Sequence, residues 1–333
     1  MRVSYEAMRA EFIRVLHKYG ITGDRAELSA TLYADASRDG IYTHGLNRFP
    51  KFIKSIQAGV VDVLAEPVMT DDLGVLERWD GRNGCGNLNA HACMARAIQL
   101  AHERTIGVVA LRNTNHWMRP GNYGLMAIDA GCIGILWTNT VPNMPPWGGR
   151  EARLGNNPMV FAIPNADGTP VLLDIAVSMF SYGKLESYAR AGKPLPVDGG
   201  FDPDQHLTKD ASDILKTHQA LPIGYWKGSG LSLMLDLVAS ALSGGLTTRE
   251  IGQQPAETKL SQVFIAIDLR RLPDADAFAA RLRETLEDMQ TSQPVDPERP
   301  VHYPGQHMLR VREDNMKNGI PVDEAVWNAV LQL

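Results

Sequence analysis

Apolar side chains recur every third or fourth residue in three segments near the start of the chain: residues 4–20, 22–40 and 50–59. This spacing is typical of amphipathic helices, and Gly20, Gly40 and Gly59 stand where such helices would end. Ser4 precedes the first segment and can cap it. The pattern predicts an N-terminal helical region covering residues 1–68.

The pattern changes after residue 68 to short apolar runs rich in β-branched residues, which are typical of strands buried on both faces. Helical stretches separate them at 88–103 and 231–242, so the fold class is α/β. Their irregular spacing favours a mixed sheet over a parallel, doubly wound one. The predicted strands cover residues 107–111, 132–137, 159–163, 171–175 and 263–267.

The predicted organisation has two parts. Residues 69–293 form an α/β domain, and residues 294–333, which include a short terminal helix, pack with the N-terminal helical region. Residues 183–216 are polar and rich in glycine, proline and aspartate, and they are predicted to form a long loop.

Composition and charge narrow the class of protein. The 333 residues are 44% hydrophobic and 21% charged with a net charge of −5, which fits a globular protein and argues against a nucleic-acid partner. The longest uncharged run, 130–149, contains prolines and asparagines that a membrane would not tolerate, and the N-terminus lacks the apolar core of a secretory signal. With three cysteines, too few for a disulfide framework, we expect a cytoplasmic protein.

The common cofactor motifs are absent. Two glycine clusters, at 84–89 and 228–233, fail the G-x-G-x-x-G pattern at its last position, and neither follows a predicted strand. No P-loop, no H-E-x-x-H zinc motif and no G-x-S-x-G nucleophile motif occurs. A standard dinucleotide-binding turn is therefore not expected, and no metal site is predicted.

Chemically capable residues gather in two places. His44 and Arg48 would share a face if residues 42–48 were helical, and together they could protonate a carbonyl and hold a carboxylate. Asn115 and His116 follow the predicted strand 107–111, where α/β proteins collect ligand groups. Structural alternatives remain open: a helix end with a solvated arginine for the first, and a hydrogen-bonded loop for the second.

Several longer segments resemble one family, the malate/L-lactate dehydrogenases that lack the Rossmann fold. The resemblance extends over nearly the whole chain and includes Gly40-Ile41-Tyr42-Thr43-His44-Gly45-Leu46-Asn47-Arg48, Leu111-Arg112-Asn113-Thr114-Asn115-His116-Trp117-Met118, Met144-Pro145-Pro146-Trp147-Gly148, Ser178-Met179-Phe180-Ser181-Tyr182-Gly183 and Gly224-Tyr225-Trp226-Lys227-Gly228-Ser229-Gly230.

This resemblance implies a homodimeric, NAD(P)-dependent reductase of 2-oxo acids with a non-Rossmann nicotinamide-cofactor-binding domain. His44 falls on the family's proton donor, Arg48 on a position that binds the substrate carboxylate, and His116 on a second active-site histidine. Thr43 and Asn115 complete the expected substrate contacts, and Asp174 is a further catalytic candidate that could polarise the histidines. The implied cofactor contacts are Leu172, Leu173, Asp174, Ile175, Ala176, Trp226, Lys227, Gly305, Gln306 and His307.

The chain departs from the family pattern at three places. Thr43 and Ala176 each replace a serine, and residues 305–307 lack the usual acidic residue. The predicted cofactor is NADH, with NADPH left open because a carboxylate normally holds the free ribose diol of NAD.

The resemblance predicts hydride transfer to the C2 carbonyl of a 2-oxo acid, and its extension to Trp117 and Trp147 implies a sugar-derived diketo acid as substrate. Alternatives within the family are a malate- or lactate-type dehydrogenase and an imino-acid reductase. Alternatives of other classes are a metal-dependent hydrolase or lyase using His44 and His116, and a binding module without catalysis.

Overall fold

The structure of the protein, a computed structural model, describes residues 1–333. Its helices are α1 (Tyr5–Lys18), α2 (Gly23–Arg38), α3 (Phe49–Gln57), α4 (Gly86–Arg104), α5 (Gly121–Asp129), α6 (Tyr182–Ala191), α7 (Ala211–Thr217), α8 (Trp226–Ser243), α9 (Thr248–Ile251), α10 (Ala275–Thr291), α11 (Gln306–Asn318) and α12 (Glu324–Gln332). Its strands are β1 (Arg2–Val3), β2 (Val68–Asp72), β3 (Leu76–Asp80), β4 (Ile106–Thr114), β5 (Cys132–Thr138), β6 (Met159–Ile163), β7 (Val171–Ile175), β8 (Gly200–Phe201), β9 (Leu207–Thr208), β10 (Leu260–Asp268) and β11 (Ile320–Pro321). None of the helices combines the length and apolar character needed to cross a membrane.

A seven-stranded sheet in the order β2-β3-β4-β10-β5-β6-β7 forms the centre of the molecule. Only β3 and β4 pair in parallel, and every other neighbouring pair is antiparallel. This arrangement differs from the parallel sheet of doubly wound dinucleotide-binding folds. The predicted α/β class with a mixed sheet is confirmed.

Helices cover both faces of the sheet. On one face, α4 and α5 pack against β4, β5, β6 and β10 in a core that includes Met94, Tyr123 and Phe264. On the other face, α8 packs against the same central strands through Leu235 and Ala239. The central strands are therefore buried on both sides, which is why their sequences are almost continuously apolar.

A second core joins the two ends of the chain. Phe12, Tyr33 and Phe49 from α1, α2 and α3 pack with Trp327 and Val330 of α12 in one buried cluster. Strand β1 also pairs with β11 in a short antiparallel ladder. These contacts agree with the expected packing of residues 294–333 on the N-terminal helices, although the domain boundaries at 68 and 293 stay predictions.

The elements expected from periodicity are present. The Ser4 side chain accepts a hydrogen bond from the backbone N–H of Ala7 at 3.1 Å and so caps α1 as predicted. All five predicted strands occur, as β4, β5, β6, β7 and β10, and both predicted internal helices occur, as α4 and α8. Helices α10 and α11 lie in parts of the chain where no helix was predicted.

The prediction of a long loop at 183–216 is wrong. This segment contains most of α6, the hairpin β8–β9 and all but the last residue of α7. Leu185, Leu195, Ala211, Ile214 and Ala220 form a small core of their own. The apolar residues are too sparse to show a period, but they converge once the hairpin brings α6 and α7 together.

Candidate active site

A cleft of about 1340 Å³ lies where the N-terminal helical cluster meets the sheet. Its walls come from the turn after α2, the loop after β4, strand β7 and the start of α11. These segments are distant in sequence, and the cleft brings together many of the predicted site residues. The predicted residues that line it are Thr43, His44, Arg48, His116, Leu172, Asp174, Ala176, Gly305 and His307.

Two histidines face each other in the cleft. The rings of His44 and His116 are nearly parallel, with an interplanar angle of 22° and centroids 5.9 Å apart. The Thr43 hydroxyl lies 3.1 Å from Nδ1 of His44. Nδ1 of His116 accepts a hydrogen bond from the backbone N–H of Met118 at 3.0 Å, so a neutral His116 carries its proton on Nε2. Both rings are thus held at one nitrogen and keep the other for a ligand.

The surroundings of the histidines oppose their protonation. Burial, followed by the positive charges of Arg48 and Arg119, lowers the pKa of His44 to about 4. Burial, followed by the charge of Arg48, also holds the pKa of His116 well below its usual value. An anion bound to these guanidinium groups would reduce that opposition and raise both pKa values.

His44 lies on a turn, and residues 42–48 do not form the α-helix in which His44 and Arg48 would share a face. Residues 42–45 form turns, and Leu46–Arg48 is a single turn of 3-10 helix. A Cβ atom on Gly45 would lie 2.1 Å from the Ser37 hydroxyl, which accepts the backbone N–H of Leu46. The close approach of Gly45 to α2 folds the chain so that His44 and Arg48 still reach the same cleft.

The loop carrying His116 rests on the start of α4. A Cβ atom on Gly86 would lie 2.3 Å from the carbonyl oxygens of Asn115 and His116. The Asn115 amide donates to the carbonyl oxygens of Asn83 and Gly84 at 2.8 and 2.9 Å. Residues 84–89 follow β3 and begin α4, although no strand was predicted before them. The glycines in this segment allow the close packing. Asn115 is buried in that packing and does not line the cleft.

Arg48 has an acidic neighbour that was not predicted. Its Nη2 lies 3.4 Å from Oε2 of Glu257, and both side chains are 27% exposed. Glu257 belongs to the irregular segment between α9 and β10 and lines the cleft. No motif in the sequence marks this residue.

A buried ion network, also not predicted, fixes one wall of the cleft. Asp39 accepts hydrogen bonds from Arg119 at 2.6 Å and from Arg312 at 2.7 Å. Burial raises the pKa of Asp39, but the hydrogen bond from Arg312 and the charge of Arg119 outweigh it and hold that pKa well below its usual value. The network ties the end of α2 to the loop before α5 and to α11. The only sequence signal for Arg119 is its position three residues after His116.

Alternation along β7 divides the predicted cofactor residues between two faces. Leu172, Asp174 and Ala176 line the cleft, whereas Leu173 and Ile175 do not. Oδ2 of Asp174 accepts the backbone N–H of Gly121 at 2.9 Å, and burial raises the pKa of Asp174. Asp174 makes no hydrogen bond to either histidine, so the structure offers no direct contact for the polarising role predicted for it.

The residues predicted around 305–307 lie at the start of α11. Gly305 has a φ of +93°, and a Cβ atom there would lie 2.5 Å from the carbonyl oxygen of Pro170, so only glycine fits this contact with β7. Gly305 and His307 line the cleft, whereas Gln306 faces a neighbouring cavity of about 350 Å³.

Trp226 and Lys227 stand apart from the cleft. They begin α8 on the opposite face of the sheet, and the Trp226 side chain is 66% exposed. Tyr225 and Trp147 pack beside them, with ring centroids 4.9 Å apart. Within one chain, these two predicted cofactor residues do not meet the others.

Comparisons with known proteins place the chain in a family. A model of the family described as "Malate/L-lactate dehydrogenase" matches residues 3–331. The chain is 44% identical over 335 residues to the 2,3-diketo-L-gulonate reductase of Pasteurella multocida (strain Pm70), covering 100% of both chains. The solved malate dehydrogenase of Entamoeba histolytica superposes with a TM-score of 0.94 at 25% identity, covering 100% of this chain and 96% of that one. The solved delta1-piperideine-2-carboxylate reductase of Pseudomonas syringae pvar. tomato superposes with a TM-score of 0.87 at 28% identity, covering 100% and 99%.

The chain belongs to the malate/L-lactate dehydrogenase family and is an oxidoreductase. The resemblance inferred from the sequence motifs is confirmed. Family membership argues against the metal-dependent hydrolase or lyase and against the non-catalytic binding module. The guanidinium groups of Arg48 and Arg119, which lower the pKa of His44, also disfavour a divalent cation between the histidines.

Proposed function

We propose that this protein reduces the C2 carbonyl of a 2-oxo acid with NADH, and that its substrate is 2,3-diketo-L-gulonate. The observation that carries the proposal is the convergence of His44, His116 and Arg48 in one cleft that also contains β7 and the start of α11. A carboxylate binder, proton-carrying imidazoles and a long adjoining groove are the parts that reduction of a 2-oxo acid requires.

The roles follow from the chemistry of each side chain. The planar guanidinium of Arg48 holds the substrate carboxylate with two parallel hydrogen bonds, which fixes the direction of the neighbouring carbonyl. His44 delivers a proton to the carbonyl oxygen from Nε2, because its Nδ1 faces the Thr43 hydroxyl. The Nε2–H group of His116 donates a hydrogen bond to the same substrate.

The residues along the groove fit a nicotinamide cofactor, which the family implies. Nε of Arg119 is buried without a hydrogen-bond partner and is free to donate to an anionic or carbonyl group. Backbone N–H groups at the start of α11 favour a phosphate. When bound, the cofactor supplies the hydride. We name NADH because residues 305–307 include no arginine or lysine for a 2′-phosphate, and NADPH is the alternative because they include no carboxylate for a ribose diol.

The substrate assignment rests on the relatives named 2,3-diketo-L-gulonate reductase, which align over the full chain at 43–44% identity. The solved neighbours include a malate dehydrogenase and an imino-acid reductase, so these activities are the alternatives. The test follows the absorbance of NADH and NADPH with 2,3-diketo-L-gulonate, oxaloacetate, pyruvate and delta1-piperideine-2-carboxylate. The highest kcat/KM is expected with 2,3-diketo-L-gulonate and NADH. No turnover of any compound with either cofactor would disprove the proposal.

The rate of reduction should fall as pH rises, with different pKa values before and after substrate binds. His44 must be protonated to donate, and its pKa in the open cleft is about 4. The bound carboxylate offsets the charge of Arg48 and raises that pKa. In pH profiles at saturating NADH, the pKa seen in kcat should therefore exceed the pKa seen in kcat/KM. Equal values, or the reverse order, would contradict this role of His44.

We also propose a homodimer formed through the outer face of α8. Four large apolar side chains are exposed on this helix: Trp226, Leu233, Met234 and Leu237. A second copy of the chain can bury this face, because the same uncharged, apolar patch on both copies would meet across a two-fold axis. In such a dimer, Trp226 and Lys227 would act at the cofactor groove of the partner, which would account for their separation from the cleft in one chain.

The variant Met234→Asp tests this interface, because it places a charge on an apolar surface. We expect its dimer dissociation constant to rise by at least about tenfold, as measured by analytical ultracentrifugation. Met69→Asp changes a similarly exposed methionine on the edge strand β2 (50% against 56% for Met234), so it is the matched control and should leave the dimer intact. If only the Met69→Asp dimer dissociated, the interface would lie at β2 and not at α8.

We place the protein in the cytoplasm. Its three cysteines, Cys85, Cys93 and Cys132, are buried and form no disulfide, which suits a reducing compartment.

A further inference from the structure

The wall of the cleft next to Arg48 offers hydrogen-bond acceptors. Glu257 Oε2 lies 3.4 Å from Nη2 of Arg48, and this contact is the one ion pair that Glu257 makes. At 3.4 Å the pair is loose, so a substrate carboxylate can take over the guanidinium. The Glu257 carboxylate then remains at the edge of the substrate with both oxygens able to accept.

The loop between β5 and β6 supplies a second acceptor, the side chain of Asn143. Nδ2 of Asn143 donates to Oδ1 of Asn156 at 2.9 Å, and the Thr140 hydroxyl donates to the same oxygen at 3.2 Å. Oδ1 of Asn143 is buried and has no hydrogen-bond partner. All three side chains line the cleft. The Asn143 and Thr140 donors are thus used within the protein, and Oδ1 of Asn143 is an acceptor without a partner. Nδ2 of Asn156 donates to no group of the protein.

The two acceptors belong to neighbouring loops. A Cβ atom on Gly252 would lie 2.8 Å from the ring of Pro142, so the segment that leads from α9 to Glu257 packs directly against the loop of Asn143. Pro142 also lines the cleft. Glu257 and Asn143 both line the cleft.

We propose that Glu257 and Asn143 form a subsite for the hydroxyl groups of the substrate's tail and thereby determine specificity. This inference rests on the proposed function and narrows it to monocarboxylic 2-oxo acids with a hydroxylated chain. Each hydroxyl group of the tail can donate its one proton to one of these acceptors, whereas a second carboxylate has no proton to donate and is repelled by Glu257. The subsite therefore favours the hydroxylated acid in two ways: it attracts that acid, and it repels the dicarboxylic acid.

The variant Glu257→Gln tests the subsite, because it removes the charge and keeps the size. We measure kcat/KM at saturating NADH with 2,3-diketo-L-gulonate, oxaloacetate and pyruvate. The ratio of kcat/KM for 2,3-diketo-L-gulonate to that for oxaloacetate should fall at least about tenfold, because the hydroxylated acid loses a charged hydrogen bond and the dicarboxylate loses a repulsion. Pyruvate, which has neither kind of tail, should change less than about threefold relative to its wild-type value.

Glu186→Gln is the matched control. Glu186 also lines the cleft, but it pairs with Lys51 at its exposed mouth, 3.2 Å away, so the ratio should stay at its wild-type value. Calorimetric binding of L-gulonate and malate to the wild type and to Glu257→Gln provides a readout that does not require turnover, and the preference for L-gulonate should fall in the variant.

The outcomes separate the two proposals. If the wild type reduces 2-oxo acids and Glu257→Gln leaves both the kinetic ratio and the binding preference unchanged, the subsite is disproved and the proposed function stands. If the wild type reduces none of the acids, the proposed function fails and the subsite fails with it.

Discussion

Replacing His44 with Asn should lower kcat for 2-oxo acid reduction by about 100-fold or more. Asn keeps a polar side chain of similar size but cannot deliver a proton. Because the Thr43 hydroxyl lies beside Nδ1, only Nε2 of His44 is left to deliver the proton to the substrate. The measurement is steady-state kcat at saturating NADH and substrate.

Two controls separate this role from a structural one. The dissociation constant of NADH, measured by fluorescence, should stay within about threefold of wild type, because His44 is assigned to substrate alone. The pKa that His44 contributes to the pH profile should disappear. A near-normal kcat in His44→Asn would instead move the proton donor to His116, whose ring lies 5.9 Å away.

Replacing Arg48 with Lys should lower kcat/KM by roughly 30- to 1000-fold, which corresponds to about 2–4 kcal/mol. Lysine keeps the charge but lacks the planar pair of donors that fits a carboxylate. It could still pair with Glu257, so the folded structure should tolerate the change. The measurement is kcat/KM for each 2-oxo acid that the wild type reduces.

Lys51→Arg is the matched control, because Lys51 is a cation at the exposed mouth of the same cleft, paired with Glu186. Its kinetics should stay within about threefold of wild type, since an exposed ion pair contributes little. If Arg48→Lys were equally mild, Arg48 would be a solvated residue and the carboxylate assignment would be wrong. A matching rise in the dissociation constant of NADH would move Arg48 to the cofactor site.

Local patterns were sufficient to predict much of the fold. The period in α1, α2 and α3 and the apolar runs in β4, β5 and β10 are properties of short segments, and they appear in the sequence without knowledge of the partners. The small core around Leu185 and Ile214 is different, because its residues become neighbours only through the hairpin β8–β9. A tertiary contact, and not a local period, determines that part.

The site residues, too, fall into those that the sequence could predict and those that it could not. His44, Arg48 and His116 could be predicted because each lies in a segment that resembles the family's motifs. Glu257 and Asp39 carry no such signal, since their importance comes from guanidinium groups far away in sequence: Arg48 for the first, Arg312 for the second. The exposure of Trp226 could not be predicted either, because helical spacing does not show which face of α8 meets the sheet.

The packing of α12 on the N-terminal helices, together with the pairing of β1 and β11, has a consequence for the order of folding. The core beneath the turn of His44 is completed by Trp327 and Val330, and β1 pairs with β11 at the other end of the 333-residue chain. Contacts this distant close late, because the whole intervening chain must first be synthesised and brought together. During synthesis on the ribosome the sheet can form before the helical cluster does, so the catalytic turn acquires its final support only once the last helix has emerged.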